Sequence, residues 1–129
     1  MIILTIDEII NLQEKLILAT GGSTGLRDLG LLQSAFFSAV QSFDDEDLYK
    51  NIEEKSARLA FAITKNHPFV DGNKRIGIFV MLMTLKLNNV QIKYEQKELV
   101  SLGLGIADGS IEFSDILIWI NGHRIYEAG

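Results

Sequence analysis

The sequence predicts an all-α fold, a compact bundle of about six helices around one central apolar helix. Apolar residues recur at helical spacing in successive segments, each closed off by glycine, proline or acidic residues. The run from Ile76 to Leu85 is apolar on every face, as suits a helix surrounded by others. No repeat, linker or low-complexity segment divides the 129 residues, so a single domain spanning 1–129 is expected. A hydrophobic content of 47% is enough for a substantial core.

The first helix opens on Thr5-Ile6-Asp7-Glu8, a capping-box pattern in which Thr5 and Glu8 satisfy free amides. Ile6, Ile9, Ile10, Leu16 and Ile17 follow at helical spacing until Gly21-Gly22. The loop Gly21 to Leu26 is glycine-rich but lacks the Lys-Ser or Lys-Thr that a P-loop needs, and reads as a turn. A second helix is expected from Asp28 to Ser42, burying Leu31, Leu32, Ala35, Phe36, Ala39 and Val40. Asp44-Asp45-Glu46-Asp47 then reads as a solvated loop whose carboxylates suit the next helix start. It lacks the spaced oxygen ligands of a calcium loop. A third helix runs from about Leu48 to Lys65 with Ile52, Ala57, Leu59, Ala60, Phe61 and Ile63 inward. Pro68 ends it and leaves His67 in a loop. The fourth helix starts near Gly72-Asn73 and reaches about Asn88. Val90 to Tyr94 suggests a short strand, Gln96 to Ala107 a fifth helix stopped by Asp108-Gly109, and Ser114 caps a sixth. That last helix buries Ile116, Leu117 and Ile120, and Trp119 is most simply core as well.

A net charge of −5 argues against a nucleic-acid surface, while leaving room for one local anion site at Lys74-Arg75. With no cysteine there are neither disulfides nor thiolate metal sites. No cleavable leader is visible, and the longest apolar run is about half a bilayer span. These features lead to the expectation of a cytoplasmic protein with no membrane partner.

Chemistry concentrates in His67-Pro68-Phe69-Val70-Asp71-Gly72-Asn73-Lys74-Arg75. The amides of Gly72, Asn73 and Lys74 would open a helix, where the dipole favours an anion. Lys74 and Arg75 set cations beside them, and arginine can grip phosphate oxygens at two points. Asp71 fits an anion site if a cation such as magnesium lies between carboxylate and phosphate. A histidine titrates near neutrality, so His67 could take a proton from an attacking hydroxyl. Phe69 would plug the loop into the core, and Asn73 could cap the helix or hold phosphate. Each residue also has an ordinary reading: His67 as a loop side chain, Asp71-Gly72 as turn chemistry. Lys and Arg in a helix's first turn oppose its dipole, however, and need a reason. Elsewhere, Arg27 and Asp28 either pair to position the second helix or assist with substrate. His123 suits a last-turn cation.

This loop resembles the core motif of the Fic/Doc superfamily, His-x-Phe-x-Asp/Glu-Gly-Asn leading into a helix. It resembles in particular the death-on-curing (Doc) branch, which continues with Lys-Arg after the Asn, as Lys74-Arg75 do here. Gly25-Leu26-Arg27-Asp28-Leu29-Gly30-Leu31-Leu32 is similar to that branch's upstream signature. The resemblance implies ATP as nucleotide, magnesium, and transfer onto a protein hydroxyl. In those terms His67 is the base, Asp71 the metal ligand, Asn73, Lys74 and Arg75 the phosphate clamp, Gly72 the point of close nucleotide approach and Phe69 the anchor. Enzymes of the superfamily that transfer AMP carry Gly-Arg after the Asn and a second arginine three positions on. Here Lys74 and Ile78 stand there, which favours transfer of the terminal phosphate to Ser or Thr of a target protein, in the translation machinery. AMP transfer and a non-catalytic binding module are the alternatives. The branch also implies a toxin paired with a small antitoxin whose C-terminal segment folds over it. Ser42 to Glu46 approaches the internal inhibitory pattern of some relatives, but Asp47 fails to complete it, so a separate partner is expected to control the protein.

Overall fold

A computed structural model describes residues 1–126. Six helices follow one another as α1 (Ile6–Thr20), α2 (Leu29–Val40), α3 (Ile52–Asn66), α4 (Asn73–Leu87), α5 (Gln96–Asp108) and α6 (Phe113–His123). A two-residue antiparallel hairpin, β1 (Ser42–Phe43) with β2 (Glu46–Asp47), separates α2 from α3. The bundle is organised about α3 and α4, which contribute to both halves of the core. On one side Ile9, Leu32, Ala35, Leu59, Ile63, Phe69, Ile76 and Val80 pack together. On the other, Ala57, Ala60, Met81 and Leu85 meet Leu102, Ile106, Ile116 and Ile120. Each fully buried Val, Leu, Ile, Phe or Met among them contributes about 1.5–3 kcal/mol relative to exposure.

The two axial helices approach closely because α4 carries Gly77 at their crossing. A Cβ there would lie 2.6 Å from Thr64 Oγ1 and 3.1 Å from the Ala60 carbonyl. The apolar run buries Ile76, Ile78, Val80, Met81 and Leu85. One flank of α4 remains only half covered, however: Phe79, Leu82 and Met83 line a groove of about 880 Å³ shared with Leu16, Leu99 and Tyr94.

Helix starts follow their caps. Thr5 and Glu8 close the capping box on α1, and Asp28 accepts from the Leu31 amide (3.1 Å) at α2. Four local expectations are corrected. The acidic segment is a hairpin rather than a plain loop: Asp44 and Asp45 turn at φ 51° and 63°, and Asp47 pairs at 3.0 Å with the buried Lys55 ammonium. Helix α3 therefore starts at Ile52, capped by Asn51 onto the Glu54 amide (2.8 Å), and α2 stops at Val40. Val90 to Tyr94 forms no strand. Val90 drops into the core, and Ile92 makes one isolated bridge to Arg124 after α6. The cap of α6 is Glu112, whose amide donates to Asp115 Oδ2 (2.9 Å), and Ser114 lies inside the first turn. Among the described residues no helix is long and apolar enough to cross a membrane.

At the end of α6 the His123 ring stacks on Trp119 (3.9 Å between centroids), with Nδ1 2.8 Å from the Trp119 carbonyl and Nε2 on the Glu98 carboxylate. Burial opposes the charged imidazole, yet the Glu98 hydrogen bond and the Trp119 carbonyl together raise its pKa above 6.5. The same hydrogen bond leads the causes that lower Glu98 below 4.5. Lys97 on α5 is the other charge acting on the pair, and Arg124, next in the chain, is engaged with Glu53 on α3. A histidine whose folded pKa is raised stabilises fully below its unfolded value and loses that contribution as pH rises through the folded one. The pair should therefore stabilise the fold most between pH 4.5 and 6.5 and fade above. Urea denaturation at pH 6 and pH 8 checks this: wild type should lose more stability across that interval than His123→Gln.

Candidate active site

Helix α3 ends because Pro68 cannot continue it, and the chain leaves through His67 in the left-handed conformation, φ 56° and ψ 52°. That region costs a non-glycine residue roughly 1–2 kcal/mol, so other contacts must hold it. Phe69 provides the first, being wholly buried in the core shared by α1, α2, α3 and α4. Asn73, itself 3% exposed, provides the second: its Oδ1 accepts from the Phe69 amide (2.9 Å) and its Nδ2 donates to the Phe69 carbonyl (3.0 Å). The segment before α2 supplies the third. The amides of Arg27 and Asp28 donate to the Pro68 carbonyl (2.7 and 3.0 Å), and Val70 donates to the Gly25 carbonyl (3.0 Å). His67 itself stays exposed.

Beyond Asp71 the chain turns through Gly72 at φ 74° into α4, and no side chain caps that helix. The amides of its first turn therefore face outward with the helix dipole behind them, about half a positive charge. Asp71 sits at the rim with Oδ1 accepting from the Gly72 amide (2.8 Å) and Oδ2 from the Ser23 amide (3.2 Å). The Ser23 and Gly72 amides, with the Arg75 charge, hold its carboxyl below the usual 3.8. It therefore stays ionised near neutrality, and its stabilising contribution is lost only as pH falls below that value. Gly22 must be glycine here: at φ 117°, a Cβ would come within 2.4 Å of Asp71 Oδ2.

The structure thus gathers His67, Asp71, Gly72, Asn73, Lys74 and Arg75 at one end of α4, with different engagements. Lys74 is exposed. Arg75 turns to the end of α1, donating to Thr20 Oγ1 (2.7 Å) and to the Gly21 carbonyl (2.8 Å), with Asp71 Oδ1 3.6 Å away. The Asn73 side chain closes the loop, so the geometry gives it a bracing role. Sequence reasoning missed Gln13. This residue is 1% exposed on α1, and its Nε2 donates to the carbonyls of Asp71 (3.2 Å) and Ser23 (3.4 Å) while Oε1 accepts from the Gly25 amide (3.4 Å). A signal existed: Gln13 falls in the inward row Ile9, Gln13, Ile17, where a polar side chain requires buried partners.

The residues present fit a phosphorylated ligand with one divalent cation. Uncapped amides and the nearby Lys74 and Arg75 cations suit phosphate oxygens, and one ionised carboxylate is enough for magnesium when phosphates complete its shell. Among the described residues no three His, Cys, Asp or Glu side chains converge on a metal position of their own.

The fold is thus an all-helical domain in which an exposed histidine ends one axial helix shortly before the uncapped start of the next. Residues 3–85 match the family model described as the Fic/DOC family. The chain is 32% identical over 110 residues to the protein kinase doc of Escherichia phage P1, covering 85% of this chain and 86% of that protein. It is 35% identical over 75 residues to Toxin Doc of Mycolicibacterium smegmatis, covering 58% of each. The chain belongs to the Fic/DOC family.

Replacing Asn73 by Ala removes both partners of the Phe69 peptide groups in a dry environment. The loss should be on the order of 2 kcal/mol or more, read as a lower urea midpoint, with enhanced exchange of the Phe69 amide.

Proposed function

We propose that this protein is a Doc-type toxin that transfers the terminal phosphate of ATP to a Ser or Thr hydroxyl of a target protein. The observation that carries this reading is the exposed His67, its backbone fastened in place, close in the chain to an uncapped helix start and an ionised Asp71. His67 accepts the proton of the incoming hydroxyl on an imidazole nitrogen, help typically worth a hundred- to ten-thousand-fold in rate. The amides of Asn73 and Lys74, with the Lys74 ammonium, hold phosphate oxygens, and Gly72 permits their close approach. Arg75 joins them by exchanging its Thr20 and Gly21 partners for phosphate. Asp71 offers its carboxylate to magnesium. When bound, ATP supplies the phosphoryl group, and the chain contributes position, charge and a proton acceptor.

Terminal-phosphate transfer is preferred over AMP transfer because Ile78, where the second arginine would stand, is 6% exposed and part of the core. A relative named a protein kinase over most of its length points the same way. The name of the other relative, Toxin Doc, also supports a partner antitoxin. The groove along α4, apolar between Phe79, Leu82 and Leu99 and rimmed by Lys74, Arg75 and Lys86, suits an acidic amphipathic segment of such a partner.

Incubating the protein with a cell lysate and ATP labelled at either the α or the γ phosphate, followed by mass spectrometry of labelled proteins, tests the reading. Label from the γ position on a Ser or Thr of a translation protein is expected, and His67→Ala should lower it at least a hundred-fold. Label from the α position would instead mean AMP transfer, and no label at all would leave a binding module. Leu82→Arg should abolish inhibition by a co-expressed antitoxin without lowering γ-label transfer; unchanged inhibition would move the partner off the groove.

A further inference from the structure

We propose that Arg27 is a positioning residue for His67, orienting the imidazole for proton transfer; the inference rests on His67 acting as the base. The Arg27 Nε donates to the His67 carbonyl (2.8 Å), and its Nη2 donates to the Asn66 carbonyl (3.2 Å). Those carbonyls belong to the two peptide planes that flank the His67 Cα. One planar guanidinium therefore pins both planes, and with them the direction in which the Cα–Cβ bond of His67 projects. This matters because His67 holds a left-handed conformation that its own side chain does not favour. The backbone bonds of Arg27 and Asp28 fasten the loop one residue later, at the Pro68 carbonyl, and Asn73 two residues later, at Phe69. Neither restrains the plane between Asn66 and His67. Arg27 alone among these contacts bears on it from outside α3.

The chemistry asks for arginine in particular. Two carbonyls oriented differently at the end of a helix match a rigid fork of donors, whereas an ammonium is a single mobile point. A cation at the last carbonyls of a helix is also ordinary dipole compensation, a modest stabilisation when exposed. The two roles separate experimentally. Dipole compensation needs only charge and acts on stability; positioning needs the fork and acts on turnover. Arg27 is exposed, so its removal leaves no cavity in the core.

The test compares Arg27→Ala, Arg27→Lys and Arg27→Gln with wild type and His67→Ala, using the full chain. Arg27→Ala should lower kcat for phosphotransfer roughly 10- to 100-fold, as a small misplacement of a reacting group does. KM for ATP should stay within about twofold, because the groups that hold phosphate lie on α4. Arg27→Lys should recover little of the loss. Wild-type kcat in Arg27→Ala, or full rescue by Arg27→Lys, would overturn the proposal. Amide hydrogen exchange provides a readout independent of catalysis. In Arg27→Ala and Arg27→Gln the His67 amide, bonded to Ile63, should exchange about tenfold faster while the Met81 amide is unchanged. Equal exchange at His67 in all variants would overturn the proposal even if wild type transfers no phosphate. A wild type without activity combined with faster His67 exchange would overturn the assigned reaction and leave the positioning intact.

Discussion

Everything at the active end of this molecule depends on burying Phe69 between two helices that must reverse direction around it. Its ring lies in the core shared by α1, α2, α3 and α4, so the peptide that carries it is drawn into a dry environment. An amide and a carbonyl there need partners, and the side chain of Asn73 supplies both. That closed pair fixes where α4 begins relative to where α3 ends. The left-handed His67 on one side and the left-handed Gly72 on the other follow from it.

The consequences spread outward by contact. Because the loop is closed from within, Asp71 is free to bond the Ser23 amide and tie the α1–α2 connection to the rim, with Gln13 underneath stitching both backbones. The same arrangement leaves the first turn of α4 uncapped, a local defect in helix chemistry that a bound anion would correct. Conflicts with local rules gather here: two cations at a helix N-terminus, a non-glycine residue in the left-handed region, a carboxylate beside the proposed anion site. Such conflicts are expected where a fold carries function rather than stability alone.

Much of this was legible in the sequence. The capping box at Thr5, the break at Pro68 and the continuous apolar run from Ile76 each have a local cause, so they survived into the structure. The hairpin did not announce itself, because its turn is made by Asp44-Asp45 instead of the usual Asn-Gly or Asp-Gly, and its strands are only two residues long. Val90 to Tyr94 has strand-like composition but meets an irregular partner, so only one bridge forms. At α6, Ser114 looked like the better cap, yet the reach of Asp115 back to Glu112 decided the boundary. Within the site, residue types marked the place but not the division of labour. Whether Asn73 braces the loop, and whether Arg75 leans on α1, depends on distances between segments far apart in the chain.

The central claim is that phosphate oxygens settle on the uncapped start of α4 within reach of the His67 ring. Titrating the isotopically labelled protein with magnesium and a non-hydrolysable ATP analogue, and following its amide and imidazole NMR signals, examines that claim most directly. The account predicts that the amides of Asn73 and Lys74 and the ring of His67 shift together along one saturating curve. Saturable shifts confined to the groove along α4, with the His67 and Asn73 signals unmoved, would contradict it.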